Sequence, residues 1–534
     1  MACAGVLLGS AGLAPAAPRT AALAQPGGDG LTRALAAGRI SRAEYALQRA
    51  IALVDLARVR SRFGDVDRPH PRDATLVLRD LRARLGDLPA RDRATAERLL
   101  ARPTDGSADR FRTGYTVSPR YFRRSCTTRF CVHWVTRSAD APSLVDRNRN
   151  RIPDWIDRVK SVLGTVWSTE VGRFGYRRPL SDMTSSRHRG GNPNGKLDVF
   201  IAELGSDGLY GYCASDDPRR GRQLSAFCVL DDDYSAAQFR EGAQGNAALK
   251  VTAAHEFFHA VQFAYDAYED PWLMEATATW IEDEVFSAIN DNVQFLSTSP
   301  VGTSPWRPLD YFTPNGRHHY GVWIFFRYLS ERFGRAIVRD IWVGAAERNL
   351  YSVRALVREI TARGADFGSV FADFGAANAQ PRVYYREGWR YPAPTSSETV
   401  ALPAGHVRTL SRSVPMYHFS NDYYTFVPNS VDAGLAVTVN APGGFTAAHA
   451  SALVFYKDVA AATAVRAAYD ASTEQLVFPR LDFGSKQVVK VVLVLTNPSI
   501  RMLRCWSDAT PPWYACRGTA ADDVRYAYAV RTVE

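Results

Sequence analysis

His255-Glu256-Phe257-Phe258-His259 puts two imidazoles and one carboxylate within five residues. On an α-helix, positions four apart stack on one face, so His255 and His259 can offer nitrogens to a single metal ion, with zinc the natural choice for such ligands. Glu256 lies about 100° further round the helix, beside the metal rather than on it. A carboxylate there can take a proton from water and return it to a leaving amine. The same pentapeptide pattern arises by chance in roughly one chain in a hundred of this length, so a third ligand has to be found.

The surrounding residues narrow the choice. Ala248, Leu249, Val251, Ala253, Ala254, Phe257, Phe258, Val261 and Phe263 make the segment apolar nearly all round, which predicts a buried helix. Two histidines and a glutamate inside such a helix are costly unless something satisfies them, and metal coordination does so. Downstream, Pro271-Trp272-Leu273-Met274-Glu275-Ala276 opens a second helix after a Pro-marked turn. Two antiparallel helices joined by a short loop would aim Glu275 at the histidine pair and give a His₂Glu site with one position open. Alternatively, Glu275 is a solvated carboxylate at a helix start. Asp266, Asp270 and Glu282 are the competing carboxylates, and Glu282 is better suited to orient a histidine through its other nitrogen. Charge developing on a peptide carbonyl needs a donor, for which Tyr320, and after it His319, are candidates. The alternative for Tyr320 is a packed aromatic.

Asp146-Arg147-Asn148-Arg149-Asn150-Arg151-Ile152-Pro153-Asp154-Trp155-Ile156-Asp157 has a second kind of spacing. Asp146, Asn148, Asn150, Asp154 and Asp157 fall at positions 1, 3, 5, 9 and 12 of an EF-hand-type calcium loop that leads into a helix. Arg151 stands where that loop wants glycine, and three arginines crowd the cation, so an Asx-rich turn capping a helix is the competing reading. Asn192, Asn194 and Asp198, and separately Asp231, Asp232 and Asp233, suit turns or solvated clusters better than cation sites.

The elements that must position these groups follow from periodicity. Ser41 to Leu56, about 73–86, and Asp92 to Leu100 read as helices. Phe130 to Thr136, Leu197 to Ile201 and Phe227 to Leu230 read as strands, and Pro153 to Phe174 as a helix. Further helices are expected over about 246–265, 271–289 and 319–333. Prolines 381, 392 and 394 mark a linker, after which Leu435 to Val439 and Val488 to Leu495 alternate like strands of a β-sandwich.

The chain of 534 residues is long enough for roughly three domains. Its net charge is +10, carried by arginine apart from six lysines, and the arginines are spread evenly. With no compact basic block and no nucleic-acid-binding motif, nucleic acid is not an expected partner. No apolar run reaches membrane-spanning length. Apart from Cys3, the cysteines form three local pairs, Cys126 with Cys131, Cys213 with Cys228, and Cys505 with Cys516, which fits disulfides and an oxidising compartment. Residues 4–17 are small and apolar, and Ala22-Leu23-Ala24 resembles a signal-peptidase site, although no basic residue precedes the apolar stretch.

The helix pair with Trp272-Leu273-Met274-Glu275-Ala276 resembles the gluzincin metallopeptidases, and more closely a family of secreted bacterial zinc metallopeptidases. The likeness runs through Asp146–Asp157, Leu209–Tyr212, Leu230–Ser235, Leu249–Gln262, Trp272–Trp280 and Tyr320–Leu329, most of residues 113–335. The family tends to have glycine where Arg151 stands. The resemblance implies a zincin-like domain with His255, His259 and Glu275 as zinc ligands and Glu256 as base. The expected fold class is α+β: a signal peptide (1–24), a helical leader or propeptide-like region (25–112), a zincin-like metallopeptidase domain (113–378), a linker (379–399) and a C-terminal β-sandwich (400–534). The expected function is a secreted zinc-dependent endopeptidase acting on protein or peptide, with calcium as a second candidate cofactor. A catalytically silent relative that binds cell surface or polysaccharide is the rival. A serine hydrolase is disfavoured, because no G-x-S-x-G occurs.

Overall fold

The structure, a computed structural model, describes residues 28–105, 114–184, 195–217, 221–240, 242–347, 350–402, 409–429, 433–441, 449–500, 502, 505, 511–520, 522 and 524–534. The expected signal segment 1–24, Asn192 and Asn194 lie outside the described residues. The fold is mixed α+β.

The leader residues form five helices, α1 (Gly30–Ala36), α2 (Arg42–Val54), α3 (Leu56–Phe63), α4 (Ala74–Arg84) and α5 (Ala90–Leu99). Ser41 caps α2 by accepting from the Glu44 N–H at 3.1 Å. A five-stranded sheet follows: β1 (Phe122–Cys126), β2 (Phe130–Val135), β3 (Leu197–Ala202), β4 (Gly211–Ala214) and β5 (Phe227–Asp231), in the order β1-β2-β3-β5-β4. The centre of this sheet is parallel and both outer strands are antiparallel.

Strand alternation sends side chains to opposite faces, and here both faces are buried. Val132, Trp134, Val199, Ile201, Cys228 and Leu230 point to one side, where α6 (Asp154–Trp167) and α7 (Gly245–Asp266) pack. Val135, Phe200, Ala202, Tyr212, Phe227 and Val229 point to the other and share a core with Leu31, Leu47, Ile51, Leu78 and Leu81 of the leader. The leader is therefore a full layer of the fold, with the sheet held between it and α7.

α8 (Pro271–Phe286) returns antiparallel-fashion along α7 after a four-residue turn. The helix expected over 319–333 is broken in two, α9 (His318–Gly321) and α10 (Trp323–Phe333), with Val322 (φ −68°, ψ −10°) as a turn residue between them. Gly321 at this break sits where a Cβ would come within 2.5 Å of the Phe295 carbonyl, so only glycine allows the approach. α11 (Ala336–Glu347), α12 (Val353–Ala362) and α13 (Phe367–Asn378) complete the helical part.

The stretch read as a linker, 379–399, is not a free tether. It forms α14 (Pro381–Tyr384) and a 3₁₀ turn (Gly388–Arg390), and buries Tyr385 and Tyr391 in the main core. Pro381 opens the helix, and Pro392 and Pro394 lie in irregular chain that is tied to the helical part where the Thr395 N–H donates to the Gly302 carbonyl at 3.0 Å. The first strand of the C-terminal part begins at Glu398. From there two sheets form, one of five strands built around Ser420–Pro428 and Val488–Asn497, the other of six built around Gly434–Asn440 and Arg525–Val533. Tyr424, Phe426, Leu493 and Leu495 of the first and Val437, Val439, Tyr526 and Tyr528 of the second share one core, so the sheets pack face to face. Disulfides join Cys126 to Cys131, Cys213 to Cys228 and Cys505 to Cys516. No helix among the described residues is long and apolar enough to cross a membrane.

Candidate metal centre

α7 is buried along nearly its whole length, and α8 packs against it. This brings His255, His259 and Glu275 together, with one ligand atom from each lying within 4.8 Å of the others. The two Nε2 atoms are 3.1 Å apart. Glu275 Oε2 is 3.2 Å from Nε2 of His255, and its Oε1 is 3.5 Å from Nε2 of His259.

The partners on the far side of each ring decide what these nitrogens are. Gln262 donates its amide N–H to the Met274 carbonyl at 2.9 Å and to Thr277 Oγ1 at 3.1 Å, which fixes the amide. Its Oε1 can then only accept, and it lies 2.7 Å from Nδ1 of His259. Nδ1 of His255 lies 2.7 Å from Oε1 of Glu282, also an acceptor. Each ring therefore carries its proton on Nδ1 and turns an Nε2 lone pair inward. Two lone pairs and a carboxylate with no hydrogen-bond donor converge in a site that water does not reach. Three acceptors with nothing to accept are unfavourable unless a cation sits among them, and the N, N, O donor set suits zinc. Burial drives both imidazoles well below their usual range and the Glu275 carboxyl well above it, so the histidines are neutral and ready to ligate.

Glu256 is buried beside this group. Burial pushes its carboxyl up to about 8, against the Thr75 hydrogen bond and the Arg72 charge, which lower it. Its Oε2 accepts from the Thr75 hydroxyl at 2.8 Å. Tyr320 donates to Asp73 Oδ1 at 2.5 Å, and His319 packs at a tilt between Phe312 and Tyr320 with Nε2 3.7 Å from the same carboxylate. Both Tyr320 and His319 are buried.

Sequence reasoning did not reach Arg72, Asp73, Thr75 or Gln262. The first three lie at the start of α4 and bear on the site from the leader, nearly two hundred residues away in sequence. Gln262 is three residues after His259, and its helical spacing was a readable signal.

The loop Asp146–Asp157 is closed by its own groups. Asp146 accepts from the backbone N–H of Asn150 and Arg151, and Asp157 accepts from the side-chain amides of Asn148 and Asn150. Asp154 is drawn away to Arg147 at 2.9 Å. Arg149 and Arg151 both take positive φ. Asp198 is tied to Arg102 and His133, and Asp231 accepts from the backbone N–H groups of Leu204, Gly205, Asp233 and Tyr234, so both have structural partners.

No protein-family profile matches the chain, and no curated protein matches it. Among solved structures, PliG of Salmonella Typhimurium, a periplasmic inhibitor of g-type lysozyme, aligns with 26% of this chain and 100% of its own at 12% identity and a TM-score of 0.15. A mutant of Escherichia coli PliG covers the same share of this chain at 15% identity and 0.14, and Aeromonas hydrophila PliG at 18% and 0.13. Scores this low support no inference about fold or function.

Proposed function

We propose that this protein is an exported zinc-dependent endopeptidase of zincin-like fold. The observation that carries the reading is the convergence of His255 Nε2, His259 Nε2 and the Glu275 carboxylate, with no donor among them and Glu256 alongside. When bound, zinc supplies Lewis acidity, which lowers the pKa of a water molecule and polarises a carbonyl. Glu256 accepts the proton of the attacking water and passes it to the leaving amine, and its raised affinity for protons suits a base that must hold and then release one. Gln262 and Glu282 hold the rings in register. Tyr320, once freed from Asp73, is the candidate donor to the carbonyl oxygen. The three disulfides fit an oxidising compartment and support export.

The test has two parts. Purified protein should contain one zinc per chain by elemental analysis, and Glu256→Gln should keep that zinc while losing peptide hydrolysis. A metal-free protein, or a Glu256→Gln variant with undiminished hydrolysis, overturns the reading.

A further inference from the structure

We infer that residues 72–75 occupy the substrate cleft as an internal pseudosubstrate, and that the cleft takes a peptide with an arginine or lysine side chain where Arg72 now lies. This rests on the peptidase reading above and adds to it a substrate class and a closed resting state.

The site is shut. His255, His259, Glu256 and Glu275 are at most 2% exposed, and a peptide has to touch this region to be cut. The cover is the start of α4. Thr75 donates to Glu256, and the Cys213 N–H donates to the Thr75 hydroxyl at 2.8 Å. Cys213 lies on β4, the outermost strand, and this N–H points to the strand's free side, where an extended peptide would pair with it. Asp73 accepts from Tyr320 and, at 3.1 Å, from the Asn315 N–H. Both groups proposed to act on a carbonyl and its water are thus bonded to the leader. A cavity of about 250 Å³ lined by Asp73, Leu76, Tyr45, Phe312 and Trp513 lies beside the helix start and gives it room to move without shedding the layer.

Arg72 shows what the cleft recognises. Its guanidinium lies 2.5 Å from Glu282 Oε1 and 2.5 Å from Asp291 Oδ2, over the rings of Phe295 and Tyr210 at 5.3 and 5.7 Å. Both carboxylates are buried, and Glu282 Oε2 has no hydrogen-bond partner. Arg317 also stacks on Phe295, but donates to Gln294. When the segment swings out, its cation leaves with it. Two buried carboxylates between aromatic rings then remain, which is unfavourable until another cation enters. A forked guanidinium meets both carboxylates, and an ammonium meets them as a point charge.

The experiment uses full-length protein carrying Arg72→Ala. Zinc content is measured first, so that the metal site is judged separately. Millimolar ethylguanidinium should raise the melting temperature of the variant by about 3–5 °C, and that of the parent not at all, with tetramethylammonium as ionic control. Peptides matched except for one Arg, Lys, norleucine or Glu should then be compared. The variant should cleave the basic ones about a hundredfold better than the neutral one. Adding Asp291→Asn should reduce both effects. If Arg72→Ala folds only with ethylguanidinium present, that dependence supports the pocket. No stabilisation by ethylguanidinium, or equal cleavage of basic and neutral peptides, overturns the inference. A zinc-loaded variant that binds ethylguanidinium but cuts nothing overturns the peptidase reading and leaves the cation pocket standing.

Discussion

Replacing Glu275 by glutamine tests the metal centre without disturbing its packing. In the metal-free protein the Glu275 carboxyl is fully buried, no donor among the described residues reaches either oxygen, and burial raises its affinity for protons. Glutamine is then nearly its isostere, so the two metal-free proteins should melt together. Zinc separates them. A ligand present at a hundred times its Kd stabilises by about 2.7 kcal/mol. At about 2–4 °C per kcal/mol for a unit of this kind, zinc should raise the parent melting temperature by about 5–10 °C. The glutamine variant offers a neutral amide in place of a carboxylate and should gain little at the same zinc concentration. Burial raises the affinity of the Glu275 carboxyl for protons, which compete with zinc for it, so zinc affinity should fall as pH falls. Calorimetry with chelated and reloaded protein reads all three quantities. Equal zinc stabilisation of parent and variant would show that Glu275 is not a ligand and would refute the argument from three converging acceptors.

Other perturbations give distinct readouts. Glu256→Gln should lower kcat by about 10²–10⁴-fold. Because folding raises the Glu256 pKa from 4.5 to about 8, its contribution is present below 4.5 and lost as pH rises through 8, so metal-free parent should lose stability across that window and the variant should lose less. Glu282→Gln should weaken zinc binding by about 10–100-fold in a competition titration, because the His255 ring loses its anionic acceptor. His418 lies buried between Asp310 at 2.9 Å and Asp522 at 2.7 Å. Burial alone would lower its pKa, but the two carboxylates raise it to about 10. Its stabilisation should be complete below pH 6.5 and disappear as pH rises through 10. His418→Gln, which leaves two carboxylates uncompensated, should cost about 3–5 kcal/mol by denaturant unfolding below that pH.

How far the sequence could be read depended on distance along the chain. The two histidines and Glu256 are four residues or fewer apart and share a helix, so periodicity alone aligned them. Glu275 needed only one short turn to be aimed. β2, β3 and β5 were visible as short apolar runs, whereas β1, with two arginines, and the four-residue β4 were not. Nor was it visible that both faces of the sheet are covered, because a continuous apolar run does not say what lies above it. Thr75 and Glu256 are 181 positions apart, and no local pattern around Arg72, Asp73 or Thr75 distinguishes them from an ordinary helix start. Residues 379–399 misled for a different reason. Their prolines and polar residues suggested a tether, while Tyr385 and Tyr391 were the informative residues, being large aromatics with a core to enter.

The leader layer also bears on the order in which the chain is made. Residues 30–99 leave the ribosome before the sheet does, as helices with an apolar side bearing Leu31, Leu47, Ile51 and Leu81. The surface that receives them includes Phe227 and Val229, which emerge well over a hundred residues later. Throughout that interval the helices lack the completed sheet to settle on, and contacts this far apart form slowly. Nascent chains stalled before residue 231 should therefore expose an adhesive helical bundle that chaperones would hold, and chains extended past it should not.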